Sequence, residues 1–288
     1  MNKGFPKKCL LCGSEKYKAI FSYDTPDGIE AAVGVTEKGY FRKWVRCTKC
    51  GLYYSVYSRG KNVMNKVYVS AYRDSSKSWR KEGSAEEVFK KVIALPKEES
   101  VTKLRIKWVK ENISTLWDGG LVERKKPPYK ILDIGGGTGI FAYEFQDKEW
   151  KGHIIDPSEG NEFITKKLKI PLMREFYSPN KFKTKFDLVS MIYILEHVLD
   201  PISFLRQVRR DMKNNSFLFI EVPDENNFKF RKPINDVARD IFHSEHLWMF
   251  GPKTLHWLLE QCGFELFALK RLKTKRDHFA LMALAAKK

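Results

Sequence analysis

The chain has 288 residues, 43% of them hydrophobic, which is enough for a sizeable core in one or two domains. No apolar run reaches the ~18 residues of a membrane-spanning helix, and the first eight residues lack the apolar segment of a secretion signal, so we expect a cytoplasmic protein. The net charge is +18, and residues 1–128 hold 27 basic against 14 acidic side chains. This excess indicates either an anionic partner or a basic surface that serves solubility.

Residues 1–60 are predicted to form a zinc ribbon, because four of the five cysteines form two Cys-x-x-Cys pairs. Two disulfides or four unbound thiols are the alternatives, which a reducing compartment and the paired spacing disfavour. Four thiolates would leave no open coordination position, so the expected zinc is structural. Residues 41–46 alternate apolar and basic side chains, which predicts a strand with one wet face. The expected ligands are Cys9, Cys12, Cys47 and Cys50.

Residues 61–128 are predicted to be a helical linker. Ser84 and Glu87 form a capping box that begins one helix, with an apolar stripe behind it. A second helix is expected to end near Asn112, and glycines and prolines at 118–128 mark a boundary. The apolar face of this second helix is predicted to contain Val101, Leu104, Trp108 and Ile113.

Residues 129–288 alternate between strand and helix patterns, which predicts a doubly wound α/β sheet. A final pair of strands, near 264–272 and 278–285, can form a hairpin. Cys262 stands at an apolar helix end and is predicted to be a buried structural thiol. The other expected strands are near 130–134, 152–156, 171–175, 186–191 and 216–222, and the expected helices near 139–148, 158–168, 201–212 and 252–262.

A glycine-rich turn follows the first of these strands. Together with Asp156 at the end of the second strand, it makes the first half of a nucleoside-binding βαβ unit, in which the acid can accept hydrogen bonds from a ribose. Gly135 and Gly137 fit a dinucleotide fingerprint, but its third glycine is replaced by Ile140. Asp133, just ahead of the glycines, disfavours a pyrophosphate and suits a cationic ligand.

The turn Asp133-x-Gly135-x-Gly137-x-Gly139 resembles motif I of the class I S-adenosylmethionine (SAM)-dependent methyltransferases. The segment 194–201 resembles the LEHV-x-DP segment of one large subgroup, and the likeness covers residues 129–288. It implies SAM as cofactor and a Rossmann-like seven-stranded sheet with an antiparallel last strand. It also implies that Ile192 and Tyr193 lie under the cofactor, with Glu175-Phe176 as a weaker candidate for the adenine edge. The zinc ribbon is similar to that of bacterial sugar-modifying methyltransferases.

Four side chains are candidates for contact with the acceptor or for a catalytic proton, and they are His246, His197, His243 and Tyr193. In some relatives the residue three positions before the Glu196-His197 pair is also acidic, and the group binds a divalent ion. Here Tyr193 occupies that position, which argues against a catalytic metal. The pair can alternatively serve only to order the loop beside the cofactor.

Three functions follow from these patterns. The first is methyl transfer from SAM to a small anionic acceptor such as a nucleotide-linked sugar or a glycan precursor. The second is RNA methylation that uses the basic, zinc-bearing N-terminal half, although no arginine-rich tract supports it. The third is a non-enzymatic zinc-ribbon interaction protein, against which the intact glycine turn and Asp156 argue.

Overall fold

The computed structural model describes residues 5–73, 83–230, 239–274 and 277–287. Residues 74–82, inside the predicted helical linker, and residues 275–276, inside the predicted hairpin, lie outside this range. None of the described helices has the length and apolarity needed to cross a bilayer. In chain order the elements are β1 (Tyr17–Tyr23), α1 (Gly28–Ala32), β2 (Arg42–Cys47), β3 (Tyr53–Tyr57), α2 (Lys61–Arg73), α3 (Ala85–Ile93), α4 (Val101–Asp118), β4 (Tyr129–Ile134), α5 (Ile140–Phe145), β5 (Trp150–Ile155), α6 (Glu162–Lys166), β6 (Leu172–Met173), β7 (Phe186–Ile192), a 3-10 turn (Leu195–His197), α7 (Pro201–Asp211), β8 (Met212–Pro223), α8 (Asn227–Phe230), α9 (Arg239–Phe242), β9 (Trp248–Met249), α10 (Pro252–Gln261), β10 (Phe264–Lys273) and β11 (Phe279–Lys287).

The larger sheet has seven strands in the order β10-β11-β8-β7-β4-β5-β6. β4 to β8 are parallel where they pair, while β11 runs antiparallel to both β8 and β10. The predicted Rossmann-like sheet with an antiparallel last strand is therefore confirmed. Since the chain proceeds from β4 to β5 on one side and to β7 on the other, the strand order reverses at β4, where such folds bind ligands.

Each face of this sheet is covered by helices. On one face, α4 and α5 pack their apolar side chains against Ile131, Leu188 and Phe219. On the other face, α7 and α10 pack against Leu132, Val189 and their neighbours, in the same core cluster as the cysteines of the N-terminal ribbon. Side chains of successive strand residues point to opposite faces, so a buried parallel strand must be apolar on both.

The N-terminal ribbon forms a second, antiparallel sheet in the order β1-β2-β3-β9. Its fourth strand comes from the far end of the chain, because Tyr53 and Tyr54 pair with Met249 and Trp248. The ribbon is thus joined by hydrogen bonds to the segment that leads into α10.

Two expectations about side-chain faces were wrong. Leu104 is 53% exposed, because α4 turns Ile106, Val109, Ile113 and Leu116 to the sheet and continues beyond Asn112 to Asp118. Arg42, a basic residue of the strand predicted to have one wet face, is only 1% exposed and lies 3.6 Å from Asp27. By contrast, the capping box at Ser84 and Glu87 is confirmed.

Candidate functional site

The glycine turn joins β4 to α5 at the point where the strand order reverses. Gly135, Gly137 and Gly139 all have positive φ, at 72°, 53° and 76°. The amide of Gly135 donates to the Ile155 carbonyl at 2.8 Å, which ties the turn to the end of β5. A Cβ at Gly135 would lie 2.1 Å from Ile194 Cδ1, so this position has no room for a side chain.

Asp156 shapes this turn from the end of β5. One carboxylate oxygen accepts a hydrogen bond from the Gly137 amide at 2.8 Å and the other accepts one from the Ser158 amide at 2.8 Å. Asn161 supports the same turn, since its side-chain amide donates to the Gly137 carbonyl at 2.6 Å. Each carboxylate oxygen has a second lone pair, so these bonds leave acceptor capacity, and contact with a ribose stays a prediction.

Asp133 lies beneath the turn and does not line the cavity described below. Its carboxyl accepts a hydrogen bond from Ser190 Oγ at 2.6 Å. A Cβ on Gly136 would lie only 2.8 Å from Asp133 Oδ2, so the carboxyl packs directly against the turn. Burial raises the pKa of Asp133 to about 7, a rise that the Ser190 hydrogen bond reduces and the charge of Asp156 reinforces. Its first role in the fold is therefore to support the turn, and direct contact with a cofactor stays a prediction.

A cavity of about 400 Å³ opens at the carboxyl ends of β4 and β5. Gly135 forms part of one wall, and His197 forms part of another. Asn65 and Val69 of α2 line the same cavity, so the helical linker contributes to it. Apolar and aromatic side chains make up most of the remaining wall, which suits an adenosine-like group; they are Ile134, Ile155, Pro157, Phe176, Tyr177, Ile194, Val198, Leu199 and Phe204.

Ile192 and Tyr193 lie at the end of β7 and are not among the side chains that line this cavity. Tyr193 has a φ of 56°, and its amide donates to the Glu221 carbonyl at 2.8 Å. Its hydroxyl interacts with the ion pair between Arg105 and Glu221, whose N···O distance is 2.5 Å. Burial and the Glu221 charge raise the pKa of Tyr193.

The three candidate histidines form one cluster behind the cavity. The ring centroids of His243 and His246 are 4.0 Å apart, and those of His197 and His246 are 4.8 Å apart. Glu196 lies beside them, with an oxygen 3.8 Å from His197 Nε2 and 4.0 Å from His246 Nε2. The structure therefore brings together residues that are about 50 positions apart in the chain, and His197 is the member that lines the cavity.

Backbone carbonyls set the tautomer of two of these rings. His197 Nδ1 lies 3.1 Å from the Glu245 carbonyl, and His246 Nδ1 lies 2.6 Å from the Ile241 carbonyl. A carbonyl oxygen can only accept, so each Nδ1 must carry the proton and each Nε2 presents a lone pair.

Burial keeps His197, His246 and Glu196 uncharged. It lowers the pKa of His197 to about 3, with a further contribution from His243, and it lowers the pKa of His246 well below the usual range. Burial also raises the pKa of Glu196 far above its usual value, and its carboxyl oxygens meet no hydrogen-bond donor on another described residue. The Glu196–histidine contacts are thus contacts between neutral groups.

The ligand atoms of Glu196, His197 and His246 lie within 4.8 Å of one another, a set that has the donor types of a cation site. Tyr193, which replaces the acid found in some relatives, is turned toward Arg105 and Glu221 and adds no carboxylate. This three-residue set contains one carboxyl group, that of Glu196, while the carboxylate of Glu245 lies 3.5 Å from His243 Nδ1. The prediction against a catalytic metal stays a prediction.

The four N-terminal cysteines converge as predicted. Cys9 Sγ lies 3.4 Å from Cys50 Sγ, and Cys12 Sγ lies 3.5 Å from Cys47 Sγ, with all four sulfur atoms within 4.8 Å of one another. These distances are far longer than the ~2.05 Å of a disulfide and close to the ~3.8 Å between sulfurs around a tetrahedral zinc ion with ~2.3 Å bonds. The cluster is compatible with a structural zinc ion.

Several residues of the site could not be found from the sequence. Asn65 and Val69 belong to a helix without a motif, and Tyr177 follows a strand of only two residues. The pair Arg105–Glu221 joins α4 to β8 over 116 positions. Only tertiary structure brings these side chains together, so no local pattern indicates them.

Comparison with known proteins places this fold. A family model described as a methyltransferase domain matches residues 105–269, more than half of the chain. The ubiquinone biosynthesis O-methyltransferase of Pelagibacter ubique is 33% identical over 125 residues, which cover 41% of this chain and 51% of that protein. The chain thus spans about half the length of this curated relative.

Two solved structures are similar to this chain at low identity. A SAM-dependent methyltransferase from Methanosarcina mazei is 21% identical with a TM-score of 0.44, over 57% of this chain and 94% of that one. The SAM-bound magnesium protoporphyrin IX methyltransferase from Synechocystis is 13% identical with a TM-score of 0.45, over 69% of this chain and 84% of that one. From the family match over residues 105–269, this chain belongs to the class I SAM-dependent methyltransferase family.

Proposed function

We propose that this protein transfers a methyl group from SAM to a small anionic acceptor, such as a nucleotide-linked sugar or a glycan precursor. The observation that carries the proposal is the cavity that extends from the glycine turn at Gly135 to His197. When bound, SAM supplies an activated methyl group on a sulfonium. The protein then has to hold the acceptor in line and exclude water, and alignment of this kind can provide much of the rate.

His197 is the best-placed residue to take a proton from the acceptor. It lines the cavity, and its Nδ1 is held by the Glu245 carbonyl, so Nε2 carries the lone pair. A pKa of about 3 makes this imidazole a weak base. A weak base is sufficient here, because the acceptor proton becomes acidic as its atom bonds to the methyl carbon and the carbon–sulfur bond breaks.

The charge distribution supports an anionic acceptor. Residues 1–128 carry 27 basic and 14 acidic side chains, a net of +13, and α2 from this half lines the cavity. A positive field of this kind draws anionic molecules to the surface and speeds their association. The mostly apolar cavity suits the adenosine portion of SAM, while the phosphate groups of an anionic acceptor remain in solvent among the basic side chains.

Isothermal titration of the zinc-loaded protein with SAM and with S-adenosylhomocysteine (SAH) tests the first step. Saturable binding of both at one site per chain is expected. Absence of binding by either ligand would contradict the enzyme proposal and favour the zinc-ribbon interaction protein.

Acceptor classes are then compared by following SAH release with nucleotide sugars, free nucleotides and bulk RNA. Turnover with a nucleotide sugar supports the proposal. Turnover with RNA alone, together with binding that weakens steeply as salt increases, would replace it with an RNA acceptor.

A further inference from the structure

The turn that carries His243 and His246 is held by the N-terminal ribbon. The carboxylate of Asp27 accepts hydrogen bonds from the Ser244 amide at 2.7 Å and from Ser244 Oγ at 2.9 Å. Asp27 is 7% exposed and also caps α1 through the amides of residues 29 and 30. A single carboxylate thus joins two segments that are 217 positions apart.

Arg42 holds the same turn from β2. Its Nη1 donates to the Phe242 carbonyl at 2.5 Å, and its Nη2 lies 3.6 Å from Asp27 Oδ2. The hydroxyl of Tyr57 donates to the Ser244 carbonyl. The main chain on both sides of His243 is therefore bound by side chains from the ribbon.

The backbone of this turn fixes the orientation and tautomer of two imidazoles. The Ile241 and Glu245 carbonyls bind Nδ1 of His246 and of His197, and the Leu247 amide donates to the Glu196 carbonyl at 2.8 Å. A shift of the turn would move the carbonyls that fix both tautomers. The contacts form a continuous path from Asp27 to the side chain that lines the cavity.

The buried Asp27–Arg42 pair is a poor source of folding free energy. Both charges leave water when the pair is buried, and a separation of 3.6 Å offsets only part of that cost. Apolar side chains of similar volume often replace a buried ion pair without loss of stability. The hydrogen bonds to Ser244 and Phe242 are what apolar side chains could not provide, and they indicate a role in orientation.

We propose that Asp27 and Arg42 are positioning residues that hold the 241–247 turn, and through it His246 and His197, in the orientation required beside the cavity. The ribbon then supports the histidines from outside the cavity, since none of the described residues that line the cavity belongs to residues 1–60. This inference rests on the proposed function for its purpose, but the contacts can be tested without an acceptor.

The test uses the full zinc-loaded chain labelled with ¹⁵N-histidine, whose long-range ¹H–¹⁵N spectra report which ring nitrogen carries the proton. At pH 7 the wild type should show the Nδ1–H tautomer for His197 and His246. In Asp27→Asn, one oxygen is replaced by an NH₂ group that cannot accept from Ser244. We expect loss of the single Nδ1–H signature of His246, while SAH affinity changes by less than about twofold, since Asp27 lies outside the cavity.

Asp187→Asn is the matched control, because Asp187 is also 7% exposed and also binds a backbone amide, that of Lys130, at 2.8 Å. It lies at the amino end of β7, away from the histidines. Wild-type histidine spectra in Asp27→Asn, or equal changes in Asp187→Asn, would overturn the proposal. If the wild-type protein does not bind SAH, the proposed function is contradicted and the proposal about Asp27 and Arg42 is not.

Should Asp27→Asn fail to fold, Ser244→Ala removes only the hydroxyl bond and keeps the amide bond to Asp27. We expect a smaller shift of the His246 signals in the same direction. Unchanged His246 signals in this variant would count against the proposal.

Discussion

At the scale of single residues, the sequence identified the side chains around the glycine turn, but it did not identify their hydrogen-bond partners. Asp156 was expected to bind a ribose, and in the structure its carboxylate oxygens accept hydrogen bonds from the amides of Gly137 and Ser158. Asp133 was expected to face a cationic ligand, and it supports the turn from below. A motif specifies residue types at a spacing, whereas the hydrogen bonds depend on how the turn closes.

Gly135→Ala should weaken SAH binding by at least roughly tenfold. The residue has a φ of 72°, which costs an alanine ~1–2 kcal/mol, and its Cβ would lie 2.1 Å from Ile194 Cδ1, so the turn must move. Isothermal titration measures the effect. Gly120→Ala is the control, because Gly120 has a φ of 68° with nothing within 4 Å of its Cβ. Equal SAH affinity in both variants would show that the turn is not part of the cofactor site.

His197 should make the protein less stable in acid. Its pKa is about 3 in the fold and ~6.5 in the unfolded chain, so between these values the unfolded state binds more protons and stability falls as the pH falls. Between pH 7.5 and pH 5 the expected loss of unfolding free energy from this one group is about 2 kcal/mol. Urea unfolding at both pH values should show a correspondingly smaller loss in His197→Gln.

The control for this pH dependence is His256→Gln, which removes an imidazole whose side chain is 50% exposed on α10. It should keep the wild-type difference in unfolding free energy between the two pH values. If His197→Gln also keeps that difference, the ring is not held neutral by burial.

At the scale of elements, the positions of strands and helices were predicted more accurately than the side chains that each element buries. The strands of the larger sheet are short apolar runs bounded by turn residues, so their positions follow from local sequence. α4 contains apolar side chains on several sides, and only packing against the sheet selects Ile106 and Val109 over Leu104. The position of α2 over the cavity is set by contacts with distant segments, which no periodicity encodes.

α2 provides a test of whether the linker contributes to cofactor binding. Asn65→Ala removes the polar group of α2 that lines the cavity, and we expect SAH binding to weaken by roughly three- to tenfold, the effect of losing one hydrogen bond of ~0.5–1.5 kcal/mol. Asn62→Ala makes the same substitution at an exposed position of the same helix that does not line the cavity. Titration of both variants with SAH should separate them, and matching affinities would remove α2 from the site.

At the scale of the whole molecule, the division into residues 1–60, 61–128 and 129–288 stays a prediction. The structure does show contacts that connect these parts. β9, two residues long, completes the ribbon sheet from the far end of the chain. The ribbon cysteines share one core cluster with Leu247 and Trp248. A two-residue strand has no sequence signature, so this connection could not be predicted.

The same connection predicts how the molecule responds to loss of zinc. If the ribbon depends on the ion, Cys47→Ser should lose the metal and the ribbon packing, and the hydrogen bonds between β3 and β9 should transmit that loss to the rest of the chain. We expect a single thermal transition lowered by about 10 °C, since a loss of several kcal/mol shifts Tm by ~2–4 °C per kcal/mol in a domain of this size.

Cys262→Ser provides the matched control, because Cys262 directly follows α10, is buried at 3% exposure and is absent from the four-cysteine cluster. It should retain one zinc ion per chain by elemental analysis, whereas Cys47→Ser should retain none. Calorimetry then distinguishes two architectures. An unchanged main transition in zinc-free Cys47→Ser would mean that the ribbon folds as an independent unit, and its contacts with the 241–247 turn could not be what orders the histidines. A lowered single transition means that zinc, ribbon and histidine cluster are stabilised together.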